Sequence, residues 1–243
     1  MATRDDTTTE ARAPLSRERI LRAAVDLADQ EGAGALSMRK VGQVLGVEAM
    51  SLYNHVEHKE DLLNGVVDVI VLEIEAALAA AEEAGAAPED RGWKARLRHR
   101  ALTARQVMMR HQWALPIIQS RTDAGPAMLT YMDAIVGILI DGGLSVDLTH
   151  HGLHALGSRI LGFSQELFDD TQELSDSPEV AQIMMQQMLA QYPNLSVMLT
   201  EMASHDEDSV LGLGCDDQFE FEFALDLTLD GLDRLATLEA TPR

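Results

Sequence analysis

The chain has 243 residues, enough for one or two domains with a real core, and only 4% of them are aromatic. A single cysteine, Cys215, excludes a disulfide framework within the chain, and the polar stretch Met1–Glu10 has no apolar core of the kind a secretory signal carries. The net charge of −21 argues against a nucleic-acid binder until it is divided: residues 1–60 hold 8 Lys+Arg and 10 Asp+Glu, and the remainder holds 11 and 30.

The acidity therefore lies in the body, which phosphate would repel, and the N-terminal end is close to neutral. Apolar residues recur at helical spacing almost throughout, and no alternating strand pattern stands out, so the expected fold class is all-α. The lone Cys215 fits a reducing cytoplasm, and no uninterrupted apolar stretch reaches the length of a membrane span.

In chain order, residues 1–14 read as a polar, threonine-rich disordered tail closed by Pro14. Ser16 is placed to cap a helix from Arg17 to about Gln30, which Gly32 and Gly34 end. Residues 36–63 read as two short helices around a turn at Gly46, followed at once by a third helix opened by Asp61. Val41, Val44, Leu45 and Val47 are spaced to pack inward, and the third helix carries Leu63, Val66, Val67, Ile70, Val71, Ile74 and Leu78. A break at Gly85–Gly92 precedes a basic amphipathic helix, Trp93 to about Arg110, whose arginines read as a solvated face or as partners of the acidic body. Helical pieces follow at Trp113–Gln119 and Gly125–Asp141, a long helix at Asp147–Phe168, a Met-rich helix at 179–191 and a last helix at Gln218–Leu238.

In a helix-turn-helix the second helix lies in the major groove. Here it offers Ala49, Met50, Ser51, Tyr53, Asn54 and His55. Asn54 can pair with adenine, Ala49 or Met50 can meet a thymine methyl, and Ser51 can donate to a base edge or a phosphate. Tyr53 and His55 suit a phosphate at the groove wall, and Lys59 and Arg39 can hold phosphates on either side.

This stretch, from about Leu15 to Leu63, resembles the DNA-binding domain of the tetracycline-repressor (TetR) family. The resemblance rests on Leu36, Arg39, Val41, Leu45-Gly46-Val47, Ser51-Leu52-Tyr53, His55-Val56, Lys59 and Leu62-Leu63. It implies that the positions of Arg39, Ser51, Tyr53, His55 and Lys59 lie against DNA. One departure is Gly42, where the family usually has alanine; a glycine within a helix costs about 1 kcal/mol relative to alanine. The run Phe221-x-Phe223-Ala224-Leu225-x-Leu227-x-Leu229-x-Gly231-Leu232, with Leu161-Gly162 before Glu166, resembles the family's C-terminal domain. The expected layout is a DNA-binding domain at 15–62 and a helical ligand-binding and dimerisation domain at 63–243. Small residues on helix 147–168 and the apolar stripe on 218–238 point to these two helices as the homodimer surface, and the family pairs them in a four-helix bundle.

A helical body on a DNA reader is usually a sensor, and a ligand pocket needs apolar walls with a few placed polar groups. Candidate polar heads are Arg100, Gln119, Arg121, His151, His154 and Glu166; candidate walls are Met108, Trp113, Ile118, Met184 and Met188, with Met109, Leu115 and Met185 beside them. His150 and His154 share a helix face, but two well-spaced histidines fall short of the three or four ligands zinc needs, so no metal or other cofactor is expected. Tetracycline repressors use a histidine and a glutamate for the drug-bound magnesium. Glu166 falls near the glutamate's place, whereas Ile118 falls near the histidine's and Glu75 near that of a second drug-contacting histidine. The tetracycline-metal site is therefore not carried over, and a mostly apolar organic ligand, a natural product or drug, is expected instead. No phosphate loop, nucleophile elbow or credible carboxylate pair points to an enzyme. The reading is a homodimeric repressor on a palindromic operator, released by its ligand; the alternative is an activator or an effector-independent regulator of the same fold.

Overall fold

The computed structural model describes residues 14–88, 92–121, 124–162, 183, 186–187, 189–197 and 217–240, and every regular element among them is helical. Helix α1, Arg17–Glu31, begins where Ser16 in extended backbone accepts the Arg19 N–H at 3.2 Å. Its buried face is Ile20, Leu21, Ala23, Ala24, Val25, Leu27 and Ala28. Gly32 stops it at φ 80°, a conformation that a side chain would resist.

A single 3₁₀ turn, Ala33–Ala35, leads to α2, Met38–Leu45, capped by Ser37 through the Lys40 N–H. Gly46 ends α2 in the left-handed region, φ 65° and ψ 40°. The Gly46 N–H returns to the Gln43 carbonyl at 3.1 Å and the Val47 N–H to the Gly42 carbonyl at 2.9 Å. This paired closure satisfies two carbonyls of the last turn and fixes the angle at which the chain leaves. The next helix, α3, is only Ala49–Leu52, extended by turns through His55. Leu52 and Val56 are fully buried and seat it on α1 and α2's core. Helix α4, Lys59–Glu83, buries Leu62, Gly65, Val66, Val67, Ile70, Val71, Ile74 and Leu78.

The inward reading of α2 needs one correction. Met38, Val41, Gly42 and Leu45 form its buried arc, whereas Val44 is 56% exposed. At 100° per residue Val44 stands well round from Leu45, off the core-facing row. Likewise it is Leu62, not Leu63, that opens the buried stripe of α4.

The remaining helices are α5 (Trp93–Arg110), α6 (Ala114–Ser120), α7 (Pro126–Asp141), α8 (Val146–Gly162) and α9 (Asp217–Ala240). The chain forms two compact units: Met1–Glu89 with Thr103–Ile135, and Asp90–Leu102 with Val136–Arg243. In the second unit α8 packs on α9, with Gly152 against Leu232, and Trp93 lies where Gly142 leaves no side chain. Helix α9 buries Phe221, Leu225, Leu229 and Leu232, one row at i, i+4 and i+3 spacing. A second apolar row remains exposed: Phe223 43%, Leu227 58%, Leu235 49% and Leu238 60%. The expected helix 147–168 is present as far as Gly162; residues 163–168 lie outside the described residues, as does most of the Met-rich stretch.

Candidate DNA-reading surface and sensor body

The recognition face follows from how little of α3 is buried. Leu52 points into the core, Ala49, Ser51 and His55 are half-buried, and Met50 (75% exposed), Tyr53 (46%) and Asn54 face out. Arg39, on α2, and Lys59, at the first position of α4, are exposed and have no ion-pair partner among the described residues. Nearby cations are committed elsewhere: Lys40 to Glu31, Arg17 to Asp61, Arg121 to Glu60. The structure thus brings all eight expected DNA-contact residues onto α2, α3 with its following turn, and the start of α4.

Sequence reasoning missed what holds this face. Arg17 of α1 donates to both Asp61 oxygens, at 2.9 and 2.6 Å, and to the His55 carbonyl at 3.0 Å. Asp61 also accepts the Glu57 N–H at 2.9 Å. One ion pair therefore ties α1, the end of the α3 turn and the first turn of α4. The guanidinium holds the Asp61 carboxyl below its usual range, and Asp61 in turn raises Arg17. The signal was an arginine and an aspartate 44 residues apart, a separation that no local pattern reveals.

A second junction joins α1, α4 and the corner after α5. His111 is buried; its Nδ1 lies 2.7 Å from Asp29 of α1, and its Nε2 lies 3.1 Å from Glu73 of α4. Arg110 also pairs with Glu73, and the Trp113 indole N–H donates to Asp29 at 2.6 Å. Trp113, expected as an apolar pocket wall, thus spends its polar edge on α1. Arg121, expected as a polar ligand head, donates to the Glu60 backbone carbonyl and carboxylate and to Asn64, which ties the end of α6 to the first turns of α4. Arg121 holds the Glu60 carboxyl below its usual range.

Of the other sensor candidates, Met108 and Ile118 are half-buried and Gln119 is exposed, all in the first unit; Arg100 is half-buried, and His151 and His154 are exposed, in the second. Glu166, Met184 and Met188 lie outside the described residues. The His150 and His154 rings stand 4.7 Å apart on α8, and no group of three or more metal-ligating side chains occurs among the described residues. A groove of about 610 Å³ between α1 and α4 is lined by Val25, Val69, Leu72 and Ala76 with carboxylates around them, and none of the expected ligand residues lines it. The second unit holds two polar atoms that sequence reading passed over, His99 Nε2 and Thr149 Oγ1. Both are buried with no hydrogen-bond partner among the described residues, a state that favours a polar guest. The basic run of α5 is accounted for: Lys94 pairs with Asp230 and Asp233, and Arg98 with Asp226 at 2.8 Å and Glu222 at 2.5 Å. These carboxylates raise both cations' pKa.

A capped three-helix unit that exposes a short second helix between two unpaired cations, joined to a larger helical body, defines a helix-turn-helix transcriptional regulator. Residues 20–66 match the family described as bacterial regulatory proteins, tetR family, and residues 85–236 match the tetracyclin repressor-like C-terminal domain. The chain belongs to the TetR family and is a transcriptional repressor of that family, not an enzyme. It is 30% identical over 227 residues to the HTH-type transcriptional repressor DrrR1 of Streptomyces coeruleorubidus, a match covering 91% of this chain and 78% of that one. Among solved structures it resembles apo ActR from Streptomyces coelicolor with a TM-score of 0.69 and 25% identity, over 94% of this chain and 99% of the other. It also resembles ActR in complex with actinorhodin with a TM-score of 0.66 and 25% identity, over 90% and 96%. No helix among the described residues is long and apolar enough to cross a membrane.

Proposed function

We propose that the protein works in the cytoplasm as a homodimer that represses transcription by holding a palindromic operator through two α3 helices, and that a largely apolar organic ligand in the C-terminal body releases it. The observation that carries this reading is the α3 face: Met50 and Tyr53 lie open, flanked by Arg39 and Lys59 that nothing on the described surface neutralises. Side chains that neither pack nor pair are available for base edges and phosphates. The exposed second row on α9, Phe223 to Leu238, supports a partner subunit, since a large apolar face is seldom left to water. Two readers would then address half-sites about 34–36 Å apart, or a multiple of one helical turn.

The ligand class follows from the same reasoning. The fold matches that of ActR, a protein solved with actinorhodin, and by family resemblance Ile118 and Glu75 fall near the places of the histidine that serves the drug-bound magnesium and of a second, drug-contacting histidine. Thr149 and His99 are the polar groups in the second unit best suited to orient such a guest. The Arg121 contacts offer a route for release. A shift at the end of α6 pulls on Glu60 and Asn64, hence on the first turns of α4 that carry Lys59 and the Asp61 clamp. Release then means favouring a dimer whose readers no longer match the operator spacing.

The test is selection from random duplexes with the purified full chain, followed by anisotropy of the enriched duplex with wild type and Tyr53→Ala at two salt concentrations. A palindrome bound tightly by wild type and weakly by the variant supports the reading. Enrichment of no duplex refutes operator binding. Screening aromatic polyketide-like compounds against the formed complex then tests release, and no displacement by any ligand that demonstrably binds the protein refutes the sensor role.

A further inference from the structure

Gly42 is buried in α2, in the last turn before the recognition helix. Its carbonyl accepts the Val47 N–H at 2.9 Å. Its missing side chain matters more. A Cβ at this position would lie 3.0 Å from the Val47 carbonyl oxygen and 3.3 Å from both the backbone nitrogen and the Cα of Ala49. All three obstructing atoms are backbone, and two belong to the first residue of α3. A side chain in the way could rotate aside; these atoms move only if the turn and α3 move with them. The turn is held from the other side as well, by Gly46 in the left-handed region and by Leu52 and Val56, which are fully buried.

We infer that Gly42 is a positioning residue for operator recognition: it lets α3 sit a few tenths of an ångström closer to α2 than a Cβ at this position accommodates at ordinary contact distance, and the base contacts of this chain are set to that seat. This rests on the reading of α3 as the operator-contacting helix. On that reading the base-edge contacts come from side chains on α3 and its following turn, so a displacement of a few tenths of an ångström at Ala49 reaches Met50, Ser51 and Asn54 together. The glycine therefore acts through geometry and touches no DNA itself. Its place in a helix, where alanine is the better helix former, then has a reason: the closer seat offsets the weaker propensity.

The discriminating variant is Gly42→Ala in the full chain, studied with the duplex that wild type enriches from a random pool. The expected result has three parts. The thermal midpoint stays within a few degrees of wild type. Affinity for the wild-type duplex falls by about tenfold or more, the size of one good base contact. A new selection with the variant enriches a different half-site consensus. Backbone amide chemical shifts of free protein should change over residues 48–56 and little elsewhere in α1 and α4. Binding within twofold of wild type, with the same consensus and unmoved shifts, overturns the inference. So does a variant that unfolds, because the glycine is then a folding requirement rather than a determinant of the seat. Failure of wild type itself to enrich a duplex overturns the operator reading and this inference with it, and is distinguished by needing no variant.

Discussion

Asp61→Asn removes the charge at the centre of the reader and almost nothing else. Asparagine keeps the shape and can still accept the Glu57 N–H, so the lost interaction is the two-point pairing with Arg17 at 2.6 and 2.9 Å. A charge-assisted hydrogen bond contributes about 1.5–3 kcal/mol when shielded. The Arg17 side chain is 43% exposed and the Asp61 side chain 22%, so solvent screening reduces the pair to about 1–2 kcal/mol. That loss raises local opening of α1 against α4 by roughly 5–30-fold. Hydrogen exchange of the amides in Ile20–Ala28 and Leu62–Ile70 should speed up by that factor at pH 7, while amides of α9 keep their rates. The pH dependence has a definite sign. The folded carboxyl is held below its ordinary value of 3.8 by Arg17, so its contribution is complete above that value and disappears as pH falls through the depressed folded pKa. Urea unfolding followed at Trp113, in a Trp93→Phe background, should give a wild-type advantage at pH 7 that narrows only in strong acid. An advantage under 0.5 kcal/mol at pH 7, or one unchanged down to the acid limit, would refute the claim that an ion pair locks the reader.

Lys59→Ala should weaken operator binding on every duplex and reduce the salt slope by about one, whereas Met50→Ala should leave the slope and change the preferred bases; titrations at several salt concentrations separate the two. Leu227→Asp places a charge in the exposed apolar row of α9 and should convert the proposed homodimer into monomers in sedimentation, with loss of palindrome binding; a dimer of wild-type strength would move the interface elsewhere. Asp68 sits half-buried against Gly125, accepts the Ala127 backbone N–H, and has one oxygen buried without a hydrogen-bond partner among the described residues. Burial raises its pKa, so ionisation costs stability as pH rises through the folded value. Asp68→Asn should therefore melt at or above wild type at pH 7, and the gain should vanish below the ordinary carboxylate pKa, where the wild-type acid is neutral in both states.

The reader was legible in the sequence because its signals are local. Ser16 caps the helix it precedes, Gly46 takes the left-handed turn, and the side chains read as outward-facing on α3 and its following turn are half-buried to exposed. The order of the helices also followed from 3.6-residue periodicity, and the bounds drawn for α1 and α4 to α9 agree to within two residues wherever they fall on described residues. What stayed hidden is tertiary. The alternating apolar run 219–229 gave no hint that Phe221, Leu225 and Leu229 go inward while Phe223 and Leu227 stay out. Trp113 and Arg121 read as pocket residues because an aromatic and a cation on apolar helices resemble a binding site; their partners, Asp29, Glu60 and Asn64, lie 57 to 84 residues away. Gly42 read as a defect in a helix, since only the position of Ala49 shows what its missing side chain leaves room for.

The charge of the chain is reconciled with DNA binding by how the structure assigns its cations. A net of −21 spread evenly would repel phosphate at every face. Instead most basic groups near acids are spent on them. Arg17, Lys40 and Arg121 neutralise Asp61, Glu31 and Glu60 within the first unit, and Lys94 and Arg98 neutralise the acidic edge of α9 within the second. Arg39 and Lys59 are left unpaired among the described residues, and they flank the helix whose apolar and polar side chains are also left uncovered. Few free cations mean few phosphates neutralised, hence weak attachment to arbitrary DNA with a shallow dependence on salt. Affinity must then come from base contacts and, in the proposed homodimer, from two readers acting at once. A repressor built this way depends on the seating of α3 more than one that is held to DNA by a large basic patch, because it has little electrostatic reserve when that geometry is lost.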